Sequence, residues 1–222
     1  FRGKFVIDST NGYLYVAEDS TNTASWFNNT IDLKVTPSGI NTSDFIQMAD
    51  SNELINTAKN KGYTVKNTSD NKFYVATGSQ TTDAWLKEDG VQKITPQAFP
   101  LTNTPISDIA LSGTGINTTG KSNGKVIKLS ENNDYYVATG SANNDGWLNK
   151  DGQQLIYPQA NVFSYTQTVL EDSADTVNQT NKSNGKVVIN STDTKYYVAT
   201  GNLPTSTWIE IGTGGNIITP VP

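Results

Sequence analysis

Four residues in a fixed order, Gly, Tyr, Trp and Pro, recur four times along this chain, and their spacing constrains the fold more than any other feature. Gly3, Gly62, Gly124 and Gly185 each stand twelve residues before a tyrosine: Tyr15, Tyr74, Tyr136 and Tyr197. Each tyrosine stands eleven before a tryptophan: Trp26, Trp85, Trp147 and Trp208. A proline follows eleven residues later at Pro37, Pro96 and Pro158, and twelve later at Pro220. The tryptophans lie 59, 62 and 61 residues apart and account for all four in the chain. A period of this length is the mark of a tandem array built from one supersecondary unit.

Each copy reads as two β-hairpins. In the fourth, Lys186–Ile189 and Tyr196–Ala199 are rich in β-branched and aromatic residues, as a half-buried pleated surface prefers. A polar turn, Asn190 to Thr194, joins them. Gly78, Gly140 and Gly201 end the second strand, with Asp19 in the first copy, and suggest a left-handed backbone there. The third strand starts at the tryptophan (Trp208–Ile211) and the fourth ends at the proline (Asn216–Thr219). Asp89-Gly90, Asp151-Gly152 and Gly214-Gly215 supply the turn between them, and Asn28-Asn29 is a weaker equivalent. The proline then closes the strand, because it has no amide to donate.

The expected fold is therefore all-β: four tandem small antiparallel units of two hairpins each, joined by irregular linkers, one with a short helix. The repeats are assigned to residues 1–37, 62–96, 124–158 and 185–222, and the linkers to 38–61, 97–123 and 159–184. The linkers show no common pattern, and the second and third, rich in Thr, Ser, Asn and Gly, read as extended connections or short extra strands. Ser43 reads as the N-cap of a helix in the first, carrying Phe45, Ile46, Met48, Leu54 and Ile55. A unit of roughly 35 residues is too small to bury its own core without staples. Cover is expected from another copy, a linker or another subunit.

Composition narrows the chemistry. The chain of 222 residues has no cysteine and no histidine, which excludes Ser-His and Cys-His catalysis and thiolate metal sites. A net charge of -5 disfavours nucleic acid. No apolar run approaches the length of a membrane span. Carboxylate pairs (Glu88 with Asp89, Glu171 with Asp172, Asp145 with Asp151) recur in no common register, so solvated turns explain them better than glycosidase chemistry. The Asn/Asp/Gly runs at 143–146 and 149–152 lack calcium-loop spacing. Seven N-x-S/T sequons begin at Asn28, Asn41, Asn67, Asn117, Asn178, Asn181 and Asn190. Their number follows from the abundance of Asn, Ser and Thr. The repeated Tyr15, Trp26, Tyr74, Trp85, Tyr136, Trp147, Tyr197 and Trp208 are expected to be core. Sugar stacking would fall instead to Tyr13, Phe73, Tyr135, Tyr196, Phe99, Phe163 or Tyr165. Phe1 marks either a cleavage or simply the first ordered residue.

The fourth copy, Gly185 to Gly201 with Trp208 and Ile218-Thr219-Pro220, resembles repeats of bacteriophage virion structural proteins, both capsid-decorating and fibre-like. The likeness spans about 35 residues in each copy, and the first departs from it with Glu18-Asp19 in place of Thr-Gly. The resemblance implies a non-enzymatic protein of the virion surface, homo-oligomeric and bound to capsid or tail subunits, without catalytic residues, metal or cofactor. Its mode of action would be multivalent docking. The alternative is a carbohydrate-binding adhesin whose partner is a host glycan.

Overall fold

The computed structural model describes every residue except 1, 10–11, 21–24, 29–32, 36–40, 99–100, 102 and 213–214, and the backbone alone of Leu33. Phe1, Asn29, Pro37, Phe99 and Gly214, singled out above, lie outside the described residues. The chain falls into two compact units, one of residues 1–101 with 123–126, the other of residues 102–122 with 127–222. Among the described residues no helix is long and apolar enough to cross a membrane.

The first unit opens with a four-stranded antiparallel sheet: β1 (Phe5–Ile7), β2 (Leu14–Ala17), β3 (Trp26–Asn28) and β4 (Leu33–Val35). The second sheet has five strands. It begins with β5 (Asn41–Ser43), then passes through helices α1 (Phe45–Ala49) and α2 (Leu54–Thr57) to β6 (Thr64–Asn67). It continues with β7 (Phe73–Ala76), β8 (Trp85–Lys87) and β9 (Lys93–Ile94). The second unit repeats this plan twice. Its first repeat comprises β10 (Asn103–Thr104), α3 (Ile106–Ala110), α4 (Gly115–Thr118), β11 (Val126–Leu129), β12 (Tyr135–Ala138), β13 (Trp147–Asn149) and β14 (Leu155–Ile156). Its second comprises β15 (Ser164–Tyr165), α5 (Gln167–Glu171), α6 (Thr176–Gln179), β16 (Val187–Asn190), β17 (Lys195–Ala199), β18 (Trp208–Glu210) and β19 (Ile217–Ile218).

The molecule is mostly β with four sheets, but three expectations are corrected. The five-stranded sheets are mixed: β5, β10 and β15 pair parallel to β6, β11 and β16. A parallel pair needs a crossover, and the two short helices provide it. The linkers are also not irregular, because each is a strand followed by a helix pair. Phe45, Ile106 and Gln167 begin the first helices, and Asn56, Asn117 and Asn178 sit in the second, eleven residues on in every case. The full repeat is thus the linker plus its hairpins, about sixty residues, and it is seen complete in the second, third and fourth sheets. The cap of α1 is Asp44, not Ser43: its carboxylate accepts from the Gln47 amide while Gln47 reaches back to the Asp44 amide.

Turn chemistry follows the hairpin reading with one correction. Gly12, Asn71, Asn133 and Thr194, each nine residues after the leading glycine, all have φ between 60° and 73°. Gly90 and Gly152 also turn through positive φ. Gly78, Gly140 and Gly201 do not. Glycine is needed there because a Cβ would run into the side chain of Asp83, Asp145 or Ser206. Those side chains close the following turn by accepting the amides of Gln80, Ala142 and Leu203.

The longer hairpin strands place apolar residues on both faces of their sheet, as a period of two allows. In the last sheet Tyr197, Ala199, Trp208 and Ile218 pack with Leu170 and Val177 of their own helix pair. Val187, Val198 and Ile211 point the other way, onto a cluster with Tyr136, Trp147, Ile109 and Ile156 of the preceding sheet. In the first unit Val75 and Leu86 meet Tyr15, with Trp26 and Val35 against them.

Candidate functional site

The repeated residues converge on one buried cluster per complete copy. Helices of four or five residues have no stability of their own and leave their terminal carbonyls unsatisfied. One asparagine side chain solves this three times over. The Asn56 Nδ2 donates to the carbonyls of Gln47, Met48 and Asp50 at 3.0, 3.0 and 2.8 Å. Asn117 does the same for Asp108, Ile109 and Leu111, and Asn178 for Val169, Leu170 and Asp172. The amide oxygen then faces the sheet and accepts the indole N–H of the repeat tryptophan. The distances are 2.8 Å for Trp85, 2.8 Å for Trp147 and 2.9 Å for Trp208.

A lysine completes each cluster. The Nζ of Lys59, Lys121 and Lys182 donates to the same asparagine oxygen at 3.0, 3.1 and 2.9 Å. Each also donates to a carbonyl in the turn before the tryptophan: Asp83, Asp145 and Ser206. The ammonium lies 5.2, 4.9 and 4.6 Å from the indole centroid, within cation–π range. All three lysines are buried, and that burial pushes each amine down to about 8. The asparagines and these three tryptophans are fully buried.

The structure places the sequence candidates as follows. Tyr15, Tyr74, Tyr136 and Tyr197 are buried. Trp85, Trp147 and Trp208 sit in the clusters, whereas Trp26 is half-buried. Tyr13, Phe73, Tyr135 and Tyr196 are half-buried, and Phe163 is exposed. The carboxylates are engaged in turns. Glu88 accepts the Phe73 amide, Asp89 those of Val91 and Gln92, Asp172 that of Ala174, and Glu171 the side chain of Gln167. Asp151 lies 3.5 Å from Lys150. Among the described residues no three acidic side chains gather as a metal site would require. Of the seven sequon asparagines, Asn28, Asn67, Asn117, Asn178 and Asn190 are buried and Asn41 and Asn181 exposed.

The asparagine–lysine pairs were missed at the sequence level. Their signal was Ser51, Ser112 and Ser173 followed five residues later by Asn56, Asn117 and Asn178, themselves 61 residues apart. In the second unit a cleft of about 640 Å³ opens between the two sheets, lined by Asn132, Asp134, Tyr135, Asn149, Gln154 and Ile217 among others. Comparison with protein-family models, with curated proteins and with solved structures finds no match.

Proposed function

We propose that this chain is a non-enzymatic structural protein that docks through several repeats at once on neighbouring subunits, at the surface of a phage particle. Head decoration or reinforcement is the favoured role and a fibre component the next. The observation that carries the structural part is the threefold Asn–Trp–Lys cluster. The residues that recur are spent on holding helix pair to sheet, so what the repeat preserves is a scaffold and not a reaction centre. Weak contacts from successive copies then add through effective concentration. The phage setting rests on the sequence pattern of the hairpins alone.

The test is sedimentation of the purified chain together with pull-down on phage particles that lack it. Binding to particles, and no turnover of polysaccharide, is the expected outcome. A monomer that ignores particles and cleaves a host polysaccharide would overturn the reading.

The second reading, a carbohydrate-binding adhesin, draws on the cleft between the third and fourth sheets. Its amide and carboxylate side chains and the half-buried Tyr135 ring are the groups that grip sugar hydroxyls and faces. Calorimetric titration with host surface glycans, with Tyr135→Ala as control, separates the two readings.

A further inference from the structure

The third copy departs from the second and fourth around the turn of its first hairpin. Eight residues after the leading glycine those two carry Asp70 and Asp193, and the third carries Asn132. Asp70 and Asp193 accept the hydroxyls of Tyr74 and Tyr197 at 2.9 and 2.7 Å, and also the amides of Lys72 and Lys195. Asn132 keeps only the second task, accepting the Asp134 amide. The Tyr136 hydroxyl donates instead to Gln154 at 2.6 Å, and Gln154 donates onward to the Glu210 carbonyl of the next sheet. The Asn132 Nδ2 is left buried with no hydrogen-bond partner among the described residues. Native proteins seldom leave such an atom unanswered. A cross-strand ion pair is reversed as well: Lys72 with Glu88 in the second copy becomes Asp134 with Lys150 in the third. Asn132, Asp134, Lys150 and Gln154 all line the cleft between the third and fourth sheets.

We propose that this cleft binds a short, electrically neutral oligosaccharide. Its volume of about 640 Å³ lies within the roughly 300–1,000 Å³ of small-molecule sites. Its apolar part is Ile209 and Ile217, paired across β18 and β19, with the half-buried Tyr135 ring. Ile217 is 60% exposed, a surface suited to the C–H face of a sugar ring. Its polar part sets donors beside acceptors. The Asn149 oxygen accepts the amides of Gln153 and Gln154, which leaves the amide nitrogen to donate. One oxygen of Asp134 accepts the Tyr135 amide and the Lys150 ammonium, which leaves the other to accept. A hydroxyl both donates and accepts, so this pairing suits the adjacent hydroxyls of a sugar. Charge then selects among sugars. Lys150 is the one cation among the described lining residues, and it lies 2.6 Å from Asp134 and 3.5 Å from Asp151. Two carboxylates and one ammonium leave the lining at -1, and an acidic sugar would meet no uncommitted cation. This proposal rests on the adhesin reading, which puts a sugar in the cleft, and names the class of sugar.

The test is calorimetric titration of the full chain with maltotriose, cellotriose and triacetylchitotriose as neutral probes and trigalacturonate as the acidic one. One-to-one saturable binding of at least one neutral probe is expected, at least tenfold tighter than trigalacturonate. Its affinity should change less than twofold between about 0.05 and 0.5 M salt, since a neutral ligand has no charge to screen. Gln153 and Ile217 are exposed, so Gln153→Ala and Ile217→Gln should leave amide exchange in β12 and β13 unchanged while each weakens binding at least fivefold. Asp151→Lys takes the lining from -1 to +1 and should narrow the preference for neutral over acidic probe at least fivefold. Trigalacturonate binding tighter than every neutral probe would overturn the proposal and leave the adhesin reading standing. So would neutral binding that both Gln153→Ala and Ile217→Gln leave untouched, because the sugar would then sit elsewhere. If no neutral probe binds, the proposal falls. If host surface glycans also fail to bind, the adhesin reading falls with it.

Discussion

At the scale of single residues, the asparagine is the most consequential side chain in each repeat. Asn117 satisfies three carbonyls with its amide nitrogen and both the Trp147 indole and the Lys121 ammonium with its oxygen. Removing it strands a buried cation and four further polar groups, so Asn117→Ala should destabilise by about 3 kcal/mol or more. Chemical denaturation followed by tryptophan emission measures this, and a loss below about 1 kcal/mol would mean that the cluster relaxes around the gap. The lysines set a pH dependence. Folded Lys59, Lys121 and Lys182 titrate at about 8, below the unfolded value, so between about pH 8 and 10 the unfolded chain holds more protons. Stability therefore rises with pH in that window. Above about pH 10 the sign reverses. Burial holds Tyr197 up to about 12 and raises Tyr74 and Tyr136 too, so the unfolded tyrosines lose protons that the folded ones keep. Denaturant midpoints from pH 7 to 11 should climb and then fall. A steady decline from pH 8 would show that burial does not hold the lysines down. None of this was legible beforehand, because Asn117 and Asn178 stood in the sequence only as chance sequons.

At the scale of elements, the hairpins were legible and so was the helical start of the first linker, but the repeated plan of the linkers was not, for a physical reason. A strand pair shows itself through paired aromatics, β-branched residues and a turn at fixed distance. A helix of four or five residues completes little more than one turn, so no 3.6-residue period can accumulate. Strands of two residues, such as β10 and β15, likewise show no alternation. What repeats in the linkers is a polar residue, Asn56, Asn117 or Asn178, that an apolar pattern search passes over. The tryptophans now divide into two classes. Trp85→Ala should cost about 3–5 kcal/mol, since it empties a core site and strips Asn56 and Lys59 of their partner. Trp26→Ala should cost only about 1 kcal/mol, because the ring is half-exposed. Equal losses in denaturation would refute the difference in cover between the copies. The first hairpin turn offers a gain. Thr194 is β-branched at φ 60°, where the other copies place Gly12, Asn71 and Asn133. Thr194→Gly should stabilise by about 1 kcal/mol, read as a raised denaturant midpoint.

At the scale of the whole chain, the small size of the hairpin unit called for cover from another copy, a linker or another subunit. The larger repeat decides among these for three sheets, because the second, third and fourth receive cover from their own linkers. Repeats are also not isolated beads where two sheets share a unit. In the second unit Tyr197 and Ala199 face their own helix pair while Val198, between them on β17, joins the cluster of Tyr136 and Trp147. Nearest-neighbour terms of this kind govern the stability of stacked repeats. Val198→Ala removes two methyl groups from the side that touches the neighbour, at a cost of about 1–3 kcal/mol. The loss should not stay in the sheet that carries it. Amide exchange in β12 and β13 should quicken along with that in β17 and β18, because the cluster holds side chains from both sheets. A substitution on the opposite face, Leu170→Ala, removes contacts that belong to the last repeat alone, and its effect should be largest in β16–β19. If Val198→Ala left β12 and β13 as protected as before, the shared cluster would carry no coupling. Each repeat would then stand on its helix pair and its Asn–Trp–Lys cluster alone.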